Sequence, residues 1–413
     1  MFNPMENPDF AARMTRVQKA IHLEEPDRVP LVPTLGNICS NAYGVPLQDA
    51  MMDQRKIIPA LDQMLEDLRP DYMYMLDLFP KEGMDILQPI NINYPGKTPE
   101  FGPDFTYQVV DHEFMEDDEY EDFLKDPSAY LMHKVLANKF KALGGLRILN
   151  PYSLCGSTVM GFSALSAPPL RQAFQAMLDA GDSINKFIQS GVDVTMHLIR
   201  KGYPVWGNAV ASHPFDDFAD NIRGLINTVM DLKTDPELLA EAVDRYTDVS
   251  IESAIGLCRM SHSDTLFIPL HIGVDEFMSP DDYNTYYWPP LKKMIHALIA
   301  ADITPMVFCE GNYFTRLETI RDVPKGKVVY FFEKQDMANA KKVLGDVACI
   351  AGNFDTNLLQ YGTKEQIVEE TKRLLDICAP GGGYFMSNAI SLDNGKPENL
   401  AAWYEAVERY GKY

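Results

Sequence analysis

The stretch MVFCEGN, residues 306–312, decides the fold, because an apolar run ends abruptly in an acid, a glycine and an amide. Similar runs occur at YMYMLDLF (72–79), IPLHIGVDE (268–276), VVYFFEKQD (328–336) and CIAGNFD (349–355). Buried parallel strands are apolar along their length because both faces of their sheet are covered. In an α/β barrel, polar groups at the carboxyl ends of such strands surround the mouth where ligands bind. The sequence therefore predicts a barrel enzyme with its pocket at these ends.

Composition and charge narrow the class of protein. The chain has 413 residues and a net charge of −22, with 46% apolar and 23% charged residues, as in soluble globular proteins. Such acidity repels phosphates, so we expect neither a nucleic acid nor a membrane as partner. The 6 cysteines form no CxxC pair, the first residues resemble no secretion signal, and no apolar run is long enough to span a bilayer. These features predict a cytoplasmic protein.

Strand and helix patterns alternate along much of the chain. The predicted strands are 29–35, 72–78, 147–153, 265–272, 304–310, 327–333, 348–353 and 383–388. Because helices separate most of them, we expect parallel pairing with right-handed crossovers. The pattern of residues 11–24 predicts an amino-terminal helix. Residues at about 90–125 are predicted to form an excursion, an insertion that leaves the barrel after the second strand.

Three parts of the chain resemble the uroporphyrinogen decarboxylase superfamily. They are RVQKAIHLEEPDRVPLVPTL (16–35), DEFMSPDDYNTYYWPPLKKMI (275–295), and the carboxyl-terminal part with GNFDTNLLQYGTKEQIVEETKRLLD (352–376), GGGYFMSN (381–388) and KPENLAAWYEAVERYGKY (396–413). The resemblance covers nearly the whole chain and implies an α/β fold, a (β/α)8 TIM barrel in which residues 1–413 form a single domain. The superfamily includes tetrapyrrole decarboxylases and corrinoid-dependent methyltransferases.

The chain departs from the decarboxylase pattern of that superfamily. True uroporphyrinogen decarboxylases carry an arginine-rich loop after the first strand, whereas residues 36–41 here read GNICSN, without arginine. Cationic forks are the natural way to hold the eight carboxylates of a porphyrinogen. The position of the family's late histidine falls near Ala389, whereas Asp77 matches the position of its catalytic aspartate. Classical porphyrinogen decarboxylation is therefore not favoured.

The zinc site of the methyltransferase branch is also altered. A gap-free match places Phe308 and Glu310 at the His and Cys positions of its zinc motif, and a shift of one residue retains Cys309 but places Val307 at the His position. The candidate metal ligands are then Glu310, His271 and Cys309, and whether zinc binds stays open.

We interpret three residues as catalytic candidates because of their places at predicted strand ends. Glu310 suits a general acid or base, although an ion pair or a helix cap would explain it too. His271 could polarise a substrate oxygen, move a proton or bind a metal, or be a hydrogen-bonded structural residue. The resemblance implies a catalytic or substrate-orienting role for Asp77, and a cap for the following turn is the alternative.

Further polar residues near strand ends are candidates for binding substrate. Either Glu333 or Asp336 is expected to point into the mouth, and Asp355 is expected to cap a helix. The substrate-binding candidates are Tyr152, Asn312, Glu333, Asn353 and Asn388.

Three functions remain open at this point. The first is transfer of a methyl group between a small methylated substrate and a corrinoid (cobalamin-type) cofactor carried by a partner protein. The second is decarboxylation of a porphyrin precursor or related polycarboxylate, and the third is a catalytically degenerate barrel that binds a ligand. We also expect a homodimer, since barrels of this kind commonly pair.

Overall fold

Parallel backbone pairing follows the chain around a ring in the computed structural model, which describes residues 3–74, 78–207 and 209–413. The strands of these residues are β1 (Met73–Tyr74), β2 (Ile92–Asn93), β3 (Gln108–Val109), β4 (Val205–Trp206), β5 (Thr265–Leu270), β6 (Thr304–Asn312), β7 (Val329–Lys334), β8 (Cys349–Gly352) and β9 (Tyr384–Phe385).

The largest sheet has the order β5-β6-β7-β8-β9, with every pair parallel. A second parallel pair joins β1 to β4. Within the described ranges, these ladders do not merge into one continuous sheet. Isolated parallel bridges link them, since Leu31 pairs with Met386, Thr34 with Tyr74, and Val210 with Phe267. The segment 28–35 thus takes the first place in the ring, and the strand order is that of the predicted (β/α)8 barrel.

The strand predicted at 147–153 is wrong. These residues belong to a 3-10 helix, Lys141–Ile148, and a short α-helix, Pro151–Leu154. Proline fits the first helical turn because its missing N–H has no partner there in any case. The third place in the barrel belongs to β4, whose two residues are too short a run to stand out in the sequence.

The excursion after the second barrel segment is larger than predicted. Residues 78–167 contain short helices and an antiparallel hairpin in which β2 pairs with β3. The short helices are Lys81–Leu87, Tyr120–Lys125, Pro127–Tyr130, Leu136–Lys139 and Pro151–Leu154, with a π-helical turn at Leu131–Val135 and 3-10 segments at Lys141–Ile148 and Met160–Ser166.

Amphipathic helices cover the outside of the ring and begin at well-defined caps. The helix Lys364–Cys378 starts with a capping box in which Thr363 and Gln366 satisfy each other's backbone N–H groups. The helices that follow the successive barrel segments are Ile58–Asp67, Pro168–Arg200, Pro236–Ser261, Trp288–Ala300, Leu317–Ile320, Met337–Leu344, Lys364–Cys378 and Pro397–Tyr410. Among the helices of the described ranges, none has both the length and the apolar character that crossing a bilayer requires.

Large apolar side chains fill the barrel interior. Trp206 stacks on Phe331 with ring centroids 5.1 Å apart, and both are buried. The amino-terminal helix Pro8–Ile21 adds Val17 and Ile21 to this cluster, and so closes the end of the barrel opposite the carboxyl ends of the strands. The ligand site is therefore restricted to the mouth.

Candidate active site

Strand periodicity places three predicted residues on the inner side of the barrel mouth. Side chains alternate between the two faces of a strand, so residues two apart share a face. Phe308 and Phe331 belong to the interior cluster, and Glu310 and Glu333 follow each of them by two positions. His271 follows β5 directly, four positions beyond the interior residue Phe267. The structure thus brings His271, Glu310 and Glu333 together.

His271 lies between two aspartates. Its Nε2 atom is 3.1 Å from Oδ1 of Asp220, and its Nδ1 atom is 3.5 Å from Oδ2 of Asp216. Its backbone N–H also donates to Oδ2 of Asp216, at 3.1 Å. Burial alone would lower the pKa of His271, but the hydrogen bond to Asp220 and the charges of both aspartates and Glu310 raise that pKa to about 9. The imidazole is therefore a cation at neutral pH.

Glu310 has the opposite balance of forces. Burial raises the pKa of its carboxyl to about 7, and nearby Asp216, Glu333 and Asp220 add to that rise, while the charge of His271 opposes it. A carboxyl with a pKa near 7 can both hold and release a proton under physiological conditions. Glu310 is therefore suited to general acid or base catalysis.

The two aspartates come from the segment that follows β4. Asp216 lies on the helix Pro214–Phe218, and Asp220 lies on the π-helical turn Ala219–Arg223. Asp216 is completely buried, burial raises its pKa to about 6, and its Oδ2 atom accepts a hydrogen bond of 2.9 Å from the hydroxyl of Tyr287. The sequence pattern does not predict either residue, because β4 is too short to stand out in it. The acid-rich start of the helix after β4 is the signal that could have identified them.

Glu333 and Asn353 support the mouth through their backbone contacts. Oε2 of Glu333 accepts a hydrogen bond of 2.7 Å from the backbone N–H of Gly311, next to Glu310. The Asn353 amide donates to the carbonyl oxygens of Glu333 and Gln335, at 3.3 and 2.9 Å. The first contact fixes the end of β6 relative to β7, and the Asn353 contacts fix the end of β8 relative to β7.

Helix capping occupies two of the acids that follow the strands, Asp336 and Asp355. Of Glu333 and Asp336, Glu333 faces the mouth, because the Asp336 carboxylate caps the helix Met337–Leu344. The predicted cap at Asp355 is confirmed, since its carboxylate accepts from the backbone N–H of Asn357 at 2.9 Å. Asn312 donates its amide N–H to the Glu276 carboxylate.

The remaining site predictions lie elsewhere. The Asn388 amide accepts a hydrogen bond from the backbone N–H of Thr34 and donates one to its carbonyl oxygen, both at 2.9 Å. It thus joins the first and last barrel segments. Tyr152 is 88% exposed on the helix Pro151–Leu154, not at the end of a strand. Asp77 lies outside the described residues.

The described residues do not fit the zinc set that the resemblance implies. Cys309 is fully buried in the outer cluster, the apolar side chains between the strands and the helices around them, such as Leu291 and Leu298. It lies on the strand face opposite to Glu310, so these two cannot share a metal with His271. Burial also raises the pKa of its thiol well above the usual value, which disfavours the thiolate. Across residues 3–74, 78–207 and 209–413, no group of three His, Cys, Asp or Glu side chains is placed to hold a metal ion.

Comparison with known proteins agrees with this architecture. Residues 163–410 match the family model described as uroporphyrinogen decarboxylase. The uroporphyrinogen decarboxylases of Geobacter metallireducens and Geobacter sulfurreducens are each 30% identical to the chain over 176 residues, which cover 42% of this chain and 50% of each relative. The chain thus matches about half the length of these curated relatives.

A solved methyltransferase from Methanosarcina mazei has the same fold. The two structures superpose with a TM-score of 0.62 over 96% of this chain and 98% of that one, at 16% sequence identity. Since the family model spans more than half of the sequence, the chain belongs to the uroporphyrinogen decarboxylase family.

Proposed function

We propose that this protein is an enzyme that moves a methyl group between a small methylated substrate and a corrinoid carried by a partner protein. The observation that carries the proposal is the Glu310 carboxyl, half-buried near the end of β6 with a pKa of about 7 beside the His271 imidazolium. A protonated Glu310 can donate its proton to the heteroatom that the methyl group leaves, which turns a poor leaving group into a good one.

His271 has a separate part in this proposal. With both ring nitrogens near carboxylates, it remains charged and stabilises negative charge that develops on Glu310 as the proton leaves. Glu333 holds the backbone beside Glu310 through Gly311. The three residues thus orient one titrating carboxyl toward the mouth.

The rim of the mouth suits a partner that approaches with an apolar face. Phe277, Phe314 and Ile390 follow β5, β6 and β9 and are 45–52% exposed. Exposed apolar groups around a concave site are typical of surfaces that bind another molecule. When bound, the corrinoid would supply the cobalt centre that exchanges the methyl group, while this chain binds and protonates the substrate.

Decarboxylation of a polycarboxylate is the second candidate, because the curated relatives named above are uroporphyrinogen decarboxylases. The mouth argues against it. The strongest charge effects on Glu310 include those of Asp216, Asp220 and Glu333, and carboxylates at such a site repel a substrate that carries several of its own. A degenerate barrel that catalyses no reaction is the third candidate, and it would give the raised pKa of Glu310 no function.

The test is to incubate the protein with cob(I)alamin and a panel of methyl ethers, thioethers and methylated amines, and to follow the corrinoid spectrum. We expect methylation of the corrinoid with at least one donor. Loss of carbon dioxide from uroporphyrinogen, with no methylation from any donor, would establish the decarboxylase instead. If neither reaction occurs and Glu310→Gln and His271→Ala bind every ligand as the natural protein does, the degenerate barrel is correct.

A further inference from the structure

The helix Pro168–Arg200 carries two apolar stripes, and only one of them packs against the rest of the molecule. The apolar residues of the buried stripe are Leu170, Ala173, Ala180, Phe187, Val194 and Leu198. One such stripe is what a helix on the surface of a globular protein requires. The second stripe lies on the side that faces away from the barrel, where most of its residues are exposed to solvent. Packing within the described part of the chain therefore does not account for it.

The spacing of the second stripe is that of a coiled coil. Steps of four and three residues separate its members, which are Phe174, Leu178, Gly181, Asn185, Ile188 and Val192. Leu178, Ile188 and Val192 are 46–66% exposed. Such steps place residues at the a and d positions of a heptad, the seam along which one helix packs into another. The stripe is therefore suited to contact a second helix.

This seam is complementary to itself when the partner helix runs in the opposite direction. With a two-fold axis beside Ser183, the facing residues are Phe174 with Val192, Leu178 with Ile188, and Gly181 with Asn185. Large apolar side chains then meet each other on both sides of the axis, and the smallest residue meets the single amide. An interface between identical subunits about a two-fold axis must match its own surface in this way, whereas a surface for a different protein needs no such symmetry. A second copy of this chain is therefore the occupant that the seam fits.

Gly181 allows a close approach at the centre of the seam. Glycine inside a helix lowers the stability of that helix relative to alanine. A Cβ atom at Gly181 would meet no atom of the described residues within 4 Å, so the fold itself does not require glycine there. Between two copies, Gly181 leaves room for the Asn185 amide of the second copy. A single polar residue in such a seam fixes the register of the two helices.

Charge favours this side of the molecule for self-association. Two copies that each carry a net charge of −22 repel each other, so they pair where charged side chains are scarce. The seam residues are uncharged, and residues 148–170, which lead into the helix, contain no charged side chain and expose Val159, Met160 and Phe162. The seam extends over about 27 Å. The adjoining apolar segment enlarges it towards the roughly 800 Å² per subunit that stable dimers bury.

We propose that two copies of this chain form a dimer in which their helices Pro168–Arg200 pack antiparallel along this seam. The homodimer expected from the sequence thereby receives a defined interface. The pairing uses none of the residues at the mouth, so it does not depend on the function proposed above.

Sedimentation equilibrium of the whole chain tests the dimer directly. We expect the natural protein to be dimeric, and Leu178→Glu and Ile188→Lys each to weaken dimerisation by about 100-fold or more, because a charge then enters the apolar seam twice. Both side chains are exposed, so circular dichroism and thermal unfolding should show both variants to be folded. Val249→Glu is the matched control, since Val249 is 59% exposed on another helix, Pro236–Ser261, and its substitution should leave the dimer unchanged.

A mixture of the two variants tests the register of the seam. In a mixed dimer the introduced glutamate faces the introduced lysine, and the other pair remains Leu178 with Ile188, so mixing should restore the dimer that neither variant forms alone. A natural protein that is monomeric, a dimer that survives both substitutions, or a mixture that stays monomeric would each overturn the inference. In the first case the seam binds a different partner, and in the second the two copies meet on another surface.

Discussion

The Nε2 atom of His271 lies 3.1 Å from the Oδ1 atom of Asp220, although 51 residues separate them in the sequence. With Asp216 on the other side of the ring, this contact raises the pKa of His271 to about 9, so the imidazole stays charged at neutral pH. Of the groups at the mouth, Glu310 has the pKa nearest to neutral, about 7, whereas burial raises the pKa of Asp216 to about 6. Because the Asp216 side chain is fully buried, the proposed proton donation to a substrate depends on Glu310.

The first prediction concerns the pH dependence of methyl transfer. If the protonated form of Glu310 is the donor, as we propose, the single-turnover rate should be constant below pH 6 and fall about tenfold per pH unit well above its pKa of about 7. Glu310→Gln should abolish this dependence as well as lower the rate. A wild-type rate that instead rises through pH 7 would show that the carboxylate, not the acid, is the active form.

The second prediction concerns stability and pH. The pKa of His271 is raised from 6.5 to about 9 on folding, so its contribution is fully present below pH 6.5 and is lost as the pH rises through about 9. Between pH 6.5 and pH 9.5, the natural protein should lose about 2 kcal/mol more unfolding free energy than the His271→Gln protein does. This figure allows for screening of a partly exposed ring. Urea denaturation at the two pH values measures it. An identical loss in both proteins would contradict the pairing with the aspartates.

The third prediction concerns the hydroxyl of Tyr287, which donates to Oδ2 of the buried Asp216 at 2.9 Å. Tyr287→Phe leaves that carboxylate with one donor fewer, so the unfolding free energy should fall by about 1–3 kcal/mol. Tyr361→Phe is the matched control, because Tyr361 is 79% exposed and its loss should cost under about 0.5 kcal/mol. Equal effects of the two changes in urea denaturation would show that the contact does not stabilise the fold.

The fourth prediction separates the two faces of β6. Cys309 is fully buried in the outer cluster, so Cys309→Ala should lower the unfolding free energy by about 1 kcal/mol and leave methyl transfer within about twofold of the natural protein. Loss of activity in a stably folded Cys309→Ala protein would revive the thiol as a functional group.

The sequence predicted the barrel and part of its mouth for a simple physical reason. Long apolar runs that end in polar residues identify strands and their carboxyl ends, and this pattern located His271, Glu310 and Glu333. It failed for β4, where only two residues are paired as a strand. Missing β4 also hid Asp216 and Asp220, which set the pKa of His271.

Polar residues at other strand ends show what the pattern leaves undecided. Asn388 lies three residues beyond the end of β9, and its amide holds Thr34 across the seam of the barrel instead of facing a ligand. The prediction for Tyr152 depended on a strand at residues 147–153, but Tyr152 lies on the helix Pro151–Leu154. Which amide binds backbone and which binds a ligand depends on neighbours that are distant in sequence.

The most direct test of the account is the rate at which Glu310→Gln methylates cob(I)alamin at pH 6.5, with the donor that serves the natural protein best. If the Glu310 carboxyl is the proton donor of a methyl transfer, the rate should fall by about 100-fold or more, while Glu365→Gln, which changes a fully exposed acid on the helix Lys364–Cys378, retains the natural rate. A Glu310→Gln protein that transfers methyl groups as fast as the natural one would contradict the account.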